Sequence, residues 1–150
     1  MEKEAIDFIK DNLNLIDSND FGKFYLNIPL NYRGDVTSLL LEADIDPLKY
    51  LDRIPRYYLC NQKGIESVDI PNNIKFIENS AFSGCTSLTS VTIGDGVTSI
   101  GDGAFYGCNS LKTINYKGSK KQWNAINLKD GWDSYASIKT IHCIDGDIKL

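Results

Sequence analysis

The sequence predicts an α+β fold. A helical N-terminal cap leads into a short right-handed solenoid of stacked coils, which a helix and a strand close at the C-terminus. Three observations predict it. Apolar residues up to residue 53 recur at helical spacing. Beyond it, one apolar pattern opens at Ile65, Leu88 and Leu111, a fixed period of 23 residues. The next matching segment opens at Ile138, 27 residues on, so the regular array has ended by then. The expected division is a cap over 1–53, coils over 54–116 and a capping repeat over 117–150.

In the first part, Ile6, Ile9, Leu13 and Ile16 form one stripe of a first helix. Asp17-Ser18-Asn19-Asp20 breaks it and offers N-cap residues. A second helix carries Phe21, Phe24, Tyr25 and Ile28 and stops at Pro29. A third begins near Asp35 and buries Val36, Leu39 and Leu40. Asp46-Pro47 reads as an N-cap followed by proline at the first helical position, opening a short fourth helix with Leu48 and Leu51.

Each later copy starts with a half-buried strand, as in Ser90-Val91-Thr92-Ile93, where apolar and polar residues alternate. Gly94-Asp95-Gly96 turns the chain, and Val97 and Ile100 point back inward. Ala81-Phe82 and Ala104-Phe105 set a small residue beside a large one, which suits close stacking of coils. A repeat of this length marks a leucine-rich-repeat solenoid, in which each coil hides its apolar face only against its neighbours. Ile54, Tyr58 and Leu59 stand one period before Ile77, Ala81 and Phe82 and predict a partial first coil. Ile138 to Cys143 predicts a last strand. Ser119 to Leu128 reads as a helix replacing the second half of a coil, with Trp123 and Trp132 sealing the stack. Tyr32, Tyr50, Tyr57 and Tyr58 are expected at the seam between cap and coils.

The string from Ile65 to Tyr116, with I-x-x-I-x-x-x-A-F-x-G-C at its centre, resembles the BspA-type leucine-rich repeats of bacterial and some protozoan proteins. The tail from Tyr116 through Gln122-Trp123 to His142-Cys143-Ile144-Asp145-Gly146 is similar to the closing segment often found after such repeats. The resemblance implies a surface that binds host or partner proteins. This chain differs from long members in being short, in showing no export signal and in opening with a helical module. Short proteins of this layout resemble ones encoded by bacteriophages and mobile elements of gut bacteria.

Composition narrows the function. The chain has 150 residues, 42% hydrophobic and 24% charged, which excludes a disordered or collagen-like chain. With 16 basic and 20 acidic side chains, its formal charge of −4 argues against nucleic acid as a partner. No apolar run approaches the roughly 18 residues of a membrane span. Glu2, Glu4 and Asp7 stand where a secretory signal carries basic and then apolar residues. The expectation is a cytoplasmic protein of a bacterium or a phage-infected cell, or a surface protein if an export signal has been trimmed. Cys60, Cys85, Cys108 and Cys143 form no C-x-x-C pair. Cys85 and Cys108 share one repeat position and read as buried, reduced filler.

No catalytic residue, metal ligand or cofactor is assigned. His142 is the lone histidine and falls at an outward strand position, with Cys143 on the opposite face. Gly94-Asp95-Gly96 and Gly101-Asp102-Gly103 read as turns, because no P-loop Lys-Ser/Thr or calcium-loop spacing accompanies them. Asp145-Gly146-Asp147 is placed in a C-terminal turn. The candidate partner-binding residues are one strand row, Asp69, Thr92, Asn115 and His142, beside a second, Ser67, Ser90, Thr113 and Thr140. Phe76 and Tyr106 join them, because Ser99 and Ser83 hold the equivalent positions in neighbouring coils. Phe76 either faces outward or packs under the helical cap.

The function expected is non-enzymatic protein binding through the sheet face and exposed aromatics. Alternatives are a phage-encoded inhibitor of a bacterial defence system such as a CRISPR nuclease, a small hydrolase or carbohydrate binder, and a structural element of a virion or cell surface.

Overall fold

Each coil contains two extended stretches, and both pair with the same stretches of the next coil. The computed structural model describes residues 2–12 and 21–150. Strands β2 (Ser67–Ile70), β4 (Ser90–Ile93), β6 (Thr113–Tyr116) and β8 (Thr140–Cys143) form one parallel sheet. An antiparallel strand, β9 (Gly146–Lys149), extends it to five. Strands β1 (Arg53–Ile54), β3 (Phe76–Ile77), β5 (Ser99–Ile100) and β7 (Asn127–Leu128) form the second sheet. Val68, Val91, Ile114 and Ile141 line up across the first, and Ile54, Ile77, Ile100 and Leu128 across the second. The result is a solenoid of about four turns with a few helices, as the 23-residue period predicts.

An unbroken column of rings fills the core. Tyr25 of the cap meets Tyr58 at 6.4 Å, Tyr58 meets Phe82 at 5.8 Å, and Phe82 stacks on Phe105 at 5.2 Å and 10°. Phe105 meets Trp132 at 6.2 Å, and Trp132 meets Trp123 at 6.0 Å. Ala81 and Ala104 are fully buried beside the rings, so adjacent coils close without a gap. The Cys85 and Cys108 thiols donate to the carbonyls of Leu59 and Phe82 in the preceding coil, at 3.0 and 3.1 Å. Burial pushes these thiols up to about 12 and about 11, so they are inert donors, not nucleophiles. On the outside, Asn72 and Asn79 accept from the Asp95 and Asp102 amides of the next coil, at 3.2 and 3.0 Å.

A left-handed residue recurs once per coil after the ring: Asn61 (φ 60°), Gly84 (77°), Gly107 (70°) and Tyr135 (57°). Glycine suits 84, where φ is 77° and a Cβ would lie 2.2 Å from Asn61 Oδ1, so that the Asn61 side chain would have to shift.

The cap comprises α1 (Glu2–Asp11), α2 (Phe21–Leu26), α3 (Arg33–Glu42) and 3-10 turns at Leu30–Tyr32 and Pro47–Tyr50. Phe8 stacks on Phe24 at 5.6 Å and helps Ile9 hold α1 on the core. Leu13, Ile16 and the breaker at 17–20 lie outside the described residues. Asp46 caps the second 3-10 turn as expected, accepting from the Leu48 amide at 2.9 Å, but that turn is too short to become an α-helix. Arg33 is buried and ties the cap together: its guanidinium donates to the carbonyls of Leu26 (2.7 Å), Ile28 (3.1 Å) and Arg56 (2.8 Å). Gly34 lets α3 rest on the first coil, because a Cβ would fall 2.5 Å from the Cys60 carbonyl.

Two expectations at the C-terminal end are corrected. Ser119 does start a helix, through a capping box with Gln122, but α4 covers only Lys120–Asn124. The chain then re-enters the second sheet as β7, where the Asn127 and Lys129 amides bond the Thr98 and Ile100 carbonyls. The sheet ladder and inward Leu128 outcompete two more helical turns, so α4 is an insertion between two strands and replaces neither. It lengthens the step between coils from 23 residues (Ile93 to Tyr116) to 28 (Ile100 to Leu128). A shorter return to β8 leaves 27 (Ile114 to Ile141). The second correction is that Gly146 and Asp147 belong to strand β9, not to a turn, since Cys143 pairs with Gly146 and His142 with Asp147.

Candidate partner-binding surface

The five-stranded sheet holds Asp69, Thr92, Asn115 and His142 in one register-matched row. Asp69 and Asn115 are exposed; Thr92 and His142 are half-buried. Lys117 Nζ reaches back to Asp69 at 3.7 Å, and His142 Nδ1 lies 2.7 Å from Asp147 Oδ1. The His142 hydrogen bond holds the Asp147 carboxyl below its ordinary value. The second row is narrower than expected. Ser67 and Ser90 are exposed and Thr113 is half-buried, but Thr140 is buried. β9 lies alongside it, and Lys149 Nζ donates to its Oγ1 at 3.3 Å.

Phe76 lies elsewhere, on the second sheet. It is half-buried, and Arg53 of the neighbouring strand lies over it, its guanidinium 5.5 Å from the ring centroid. Glu78 fixes that arginine at 3.1 Å and also accepts from the Arg56 amide at 3.0 Å. Arg56, Asn79, Ser99 and Lys129 complete a shallow cavity of about 340 Å³ around the ring. Tyr106 occupies a third place. It is 45% exposed and meets Tyr135, itself 78% exposed, edge-on at 5.2 Å. The six sequence candidates therefore form one row of four and two separate aromatic spots.

Three neighbours of these residues escaped the sequence reading, and each left a signal. Asp147 follows Asp145-Gly146, a dipeptide typical of hairpins. Arg53 stands one period before Phe76. Tyr135 occupies the left-handed position of Gly84 and Gly107, visible once the longer last step is allowed for.

Chemically, His142 and Asp147 supply the base and orienting acid of a hydrolytic triad, but among the described residues no hydroxyl or thiol is hydrogen-bonded to His142. Burial raises the adjacent Cys143 thiol, the wrong direction for a nucleophile. No group of three or more His, Cys, Asp or Glu among the described residues is arranged to hold a metal ion. No described helix is long and apolar enough to cross a membrane.

Comparison with solved structures finds a leucine rich cell surface protein from Faecalibacterium prausnitzii A2-165. It is 38% identical with a TM-score of 0.51, over 53% of this chain and 21% of that one, so the chain spans about a fifth of the length of that protein. No curated protein matches. Residues 52–129, just over half of the chain, match the family described as BspA type Leucine rich repeat region (6 copies). With the solenoid, the repeat register and this match in agreement, the chain belongs to the BspA-type leucine-rich-repeat family.

Proposed function

We propose that this chain is a non-enzymatic protein-interaction module that receives its partner on the outer face of the five-stranded sheet. The observation that carries the reading is the row Asp69, Thr92, Asn115 and His142, short side chains fixed on paired strands. Such groups lose little conformational freedom on binding, so contacts made there are not offset by ordering. Ser67, Ser90 and Thr113 widen the face, and Tyr106 and Phe76 offer separate aromatic contacts. Residues 54–116 act as the recognising coils, with 1–53 and 117–150 as their caps, and no cofactor takes part.

The narrower idea of a phage-encoded nuclease inhibitor draws nothing from the geometry. The face pairs its acids with Lys117, His142 and Lys149 and so lacks the acidic strip that mimicry of nucleic acid needs. A setting at the cell surface is the second reading, favoured by the description of the F. prausnitzii protein.

The test is partner capture from the cytosolic and surface fractions of a bacterial host, with wild type and an Ser90→Arg/Asn115→Arg variant. Both positions are exposed, so the variant keeps the fold while placing two long cations on the face. Proteins recovered by wild type and lost by the variant support the reading. Equal recovery of every protein refutes it. Phe76→Ala and Tyr106→Ala in parallel report whether the aromatics contribute, and the fraction that yields the partner decides between the two settings.

A further inference from the structure

The two ends of the five-stranded sheet are finished differently. At the C-terminal end β9 folds back on β8 and supplies a closing strand. At the other end, among the described residues, β2 has a partner on one side only. The Ser90 and Gly94 amides bond the carbonyls of Glu66 and Ile70, so these carbonyls point toward β4. By the alternation of a parallel ladder, the N–H and C=O groups of Ser67 and Asp69 point the other way. No described residue bonds those groups.

Burial shows the same gap. Within the inward row, Val91, Ile114 and Ile141 are fully buried, whereas Val68 is only half-buried. It opens into a cleft of about 350 Å³ between the sheet edge and the cap, lined by Leu41, Leu48, Ile65 and Val68 with Asp46 and Asp69 at its rim. No lysine or arginine lines it, although Lys117 reaches Asp69 at 3.7 Å from the sheet face. That volume is at the small end for ligand pockets and suits one or two side chains, not a whole small molecule.

We propose that this edge takes an extended segment of a partner protein by strand addition. The segment alternates apolar residues, which enter the cleft over Val68 and Leu48, with basic residues, which face Asp46 and Asp69. Four backbone groups on Ser67 and Asp69 supply the register and the cleft supplies the apolar preference; Asp46, which also caps its 3-10 turn, and Asp69, which Lys117 reaches only at 3.7 Å, supply the choice of charge. This site adjoins the sheet face proposed above and shares Ser67 and Asp69 with it, but it uses their outward backbone groups and does not depend on that reading.

The probe is an acetylated, amidated peptide, Lys-Val-Arg-Val-Lys-Val, added to the full chain and followed by amide hydrogen exchange. In the free chain the Ser67 and Asp69 amides exchange fast, while those of Val68 and Ile70, bonded to β4, are protected. With peptide, Ser67 and Asp69 slow by about tenfold or more. N-methylation of alternate peptide nitrogens, or replacement of its basic residues by Glu, weakens binding by about tenfold or more. Ser67→Pro removes one outward donor and leaves the β4 ladder intact, so it weakens binding with little change in thermal midpoint. If that variant fails to fold, the methylated peptide on wild type makes the same test. The proposal is overturned if the unmodified peptide does not bind, or if its binding ignores methylation. It is equally overturned if Ser67 and Asp69 are already protected in the free chain in proportion to its concentration, which would assign the edge to a second copy.

Discussion

Replacing Phe105 by alanine tests the core of the stacking argument. The ring is fully buried, lies nearly parallel to Phe82 at 5.2 Å and meets Trp132 edge-on at 6.2 Å. Coils on both sides are held by their own strand pairs, so the space cannot collapse, and the cost falls at about 3–5 kcal/mol. At about 2–4 °C per kcal/mol for a chain of this size, the thermal midpoint drops by about 6–20 °C. Phe105→Leu keeps most of the volume and costs roughly 1 kcal/mol. Phe82→Ala should be similarly costly, and the double variant should cost less than the sum by about 0.5–1.5 kcal/mol, the worth of one ring pair. Urea unfolding followed by the fluorescence of Trp123 and Trp132 and by circular dichroism measures all four variants. A loss below about 1 kcal/mol for Phe105→Ala, or strict additivity with Phe82→Ala, would refute a column in which each coil is buried by the next.

Three further outcomes are expected. Arg33→Met leaves the carbonyls of Leu26, Ile28 and Arg56 without their donor and costs about 2–4 kcal/mol, with amide exchange accelerating in α2 and α3 before it does in the coils. Tyr135→Gly relieves a left-handed tyrosine and changes stability by less than about 1 kcal/mol, whereas Gly84→Ala, at the same position two coils earlier, lowers the thermal midpoint because of Asn61. Alkaline pH destabilises the fold. The Cys85 and Cys108 thiols stay protonated in the native state up to about 12 and about 11, but ionise earlier when unfolded. Their contribution is complete below about pH 8.5 and falls by about 1.4 kcal/mol per thiol per pH unit above it. Thermal midpoints measured from neutral to strongly alkaline pH should therefore decline, and less steeply for Cys108→Ala.

What could be read from the sequence was whatever the repeat states more than once. Val68, Val91 and Ile114, or Ala81-Phe82 and Ala104-Phe105, declare their inward positions by returning at one interval, and the strands pair in that register. Features that occur once were harder. The helix at Lys120–Asn124 was overextended because nothing local says that Leu128 has a sheet partner in Ile100. β9 was missed because a single Asp-Gly competes with the reading of a chain end as a loop. For the surface, the row from Asp69 to His142 followed from strand alternation alone. The cover on Phe76 did not: it depends on Arg53 being held by Glu78, a contact across two coils that no local pattern records.

The ties between coils, ring to ring, thiol to carbonyl and asparagine to amide, all reach one neighbour and no further. An in-frame duplication of one such unit would meet the same partners above and below as the original did. A gene of this kind can lengthen or shorten its product without inventing new contacts, and with each added unit the exposed row gains one more letter to present. The fixed parts are the two ends, where the tyrosine of the cap and the paired tryptophans receive whatever number of turns lies between them.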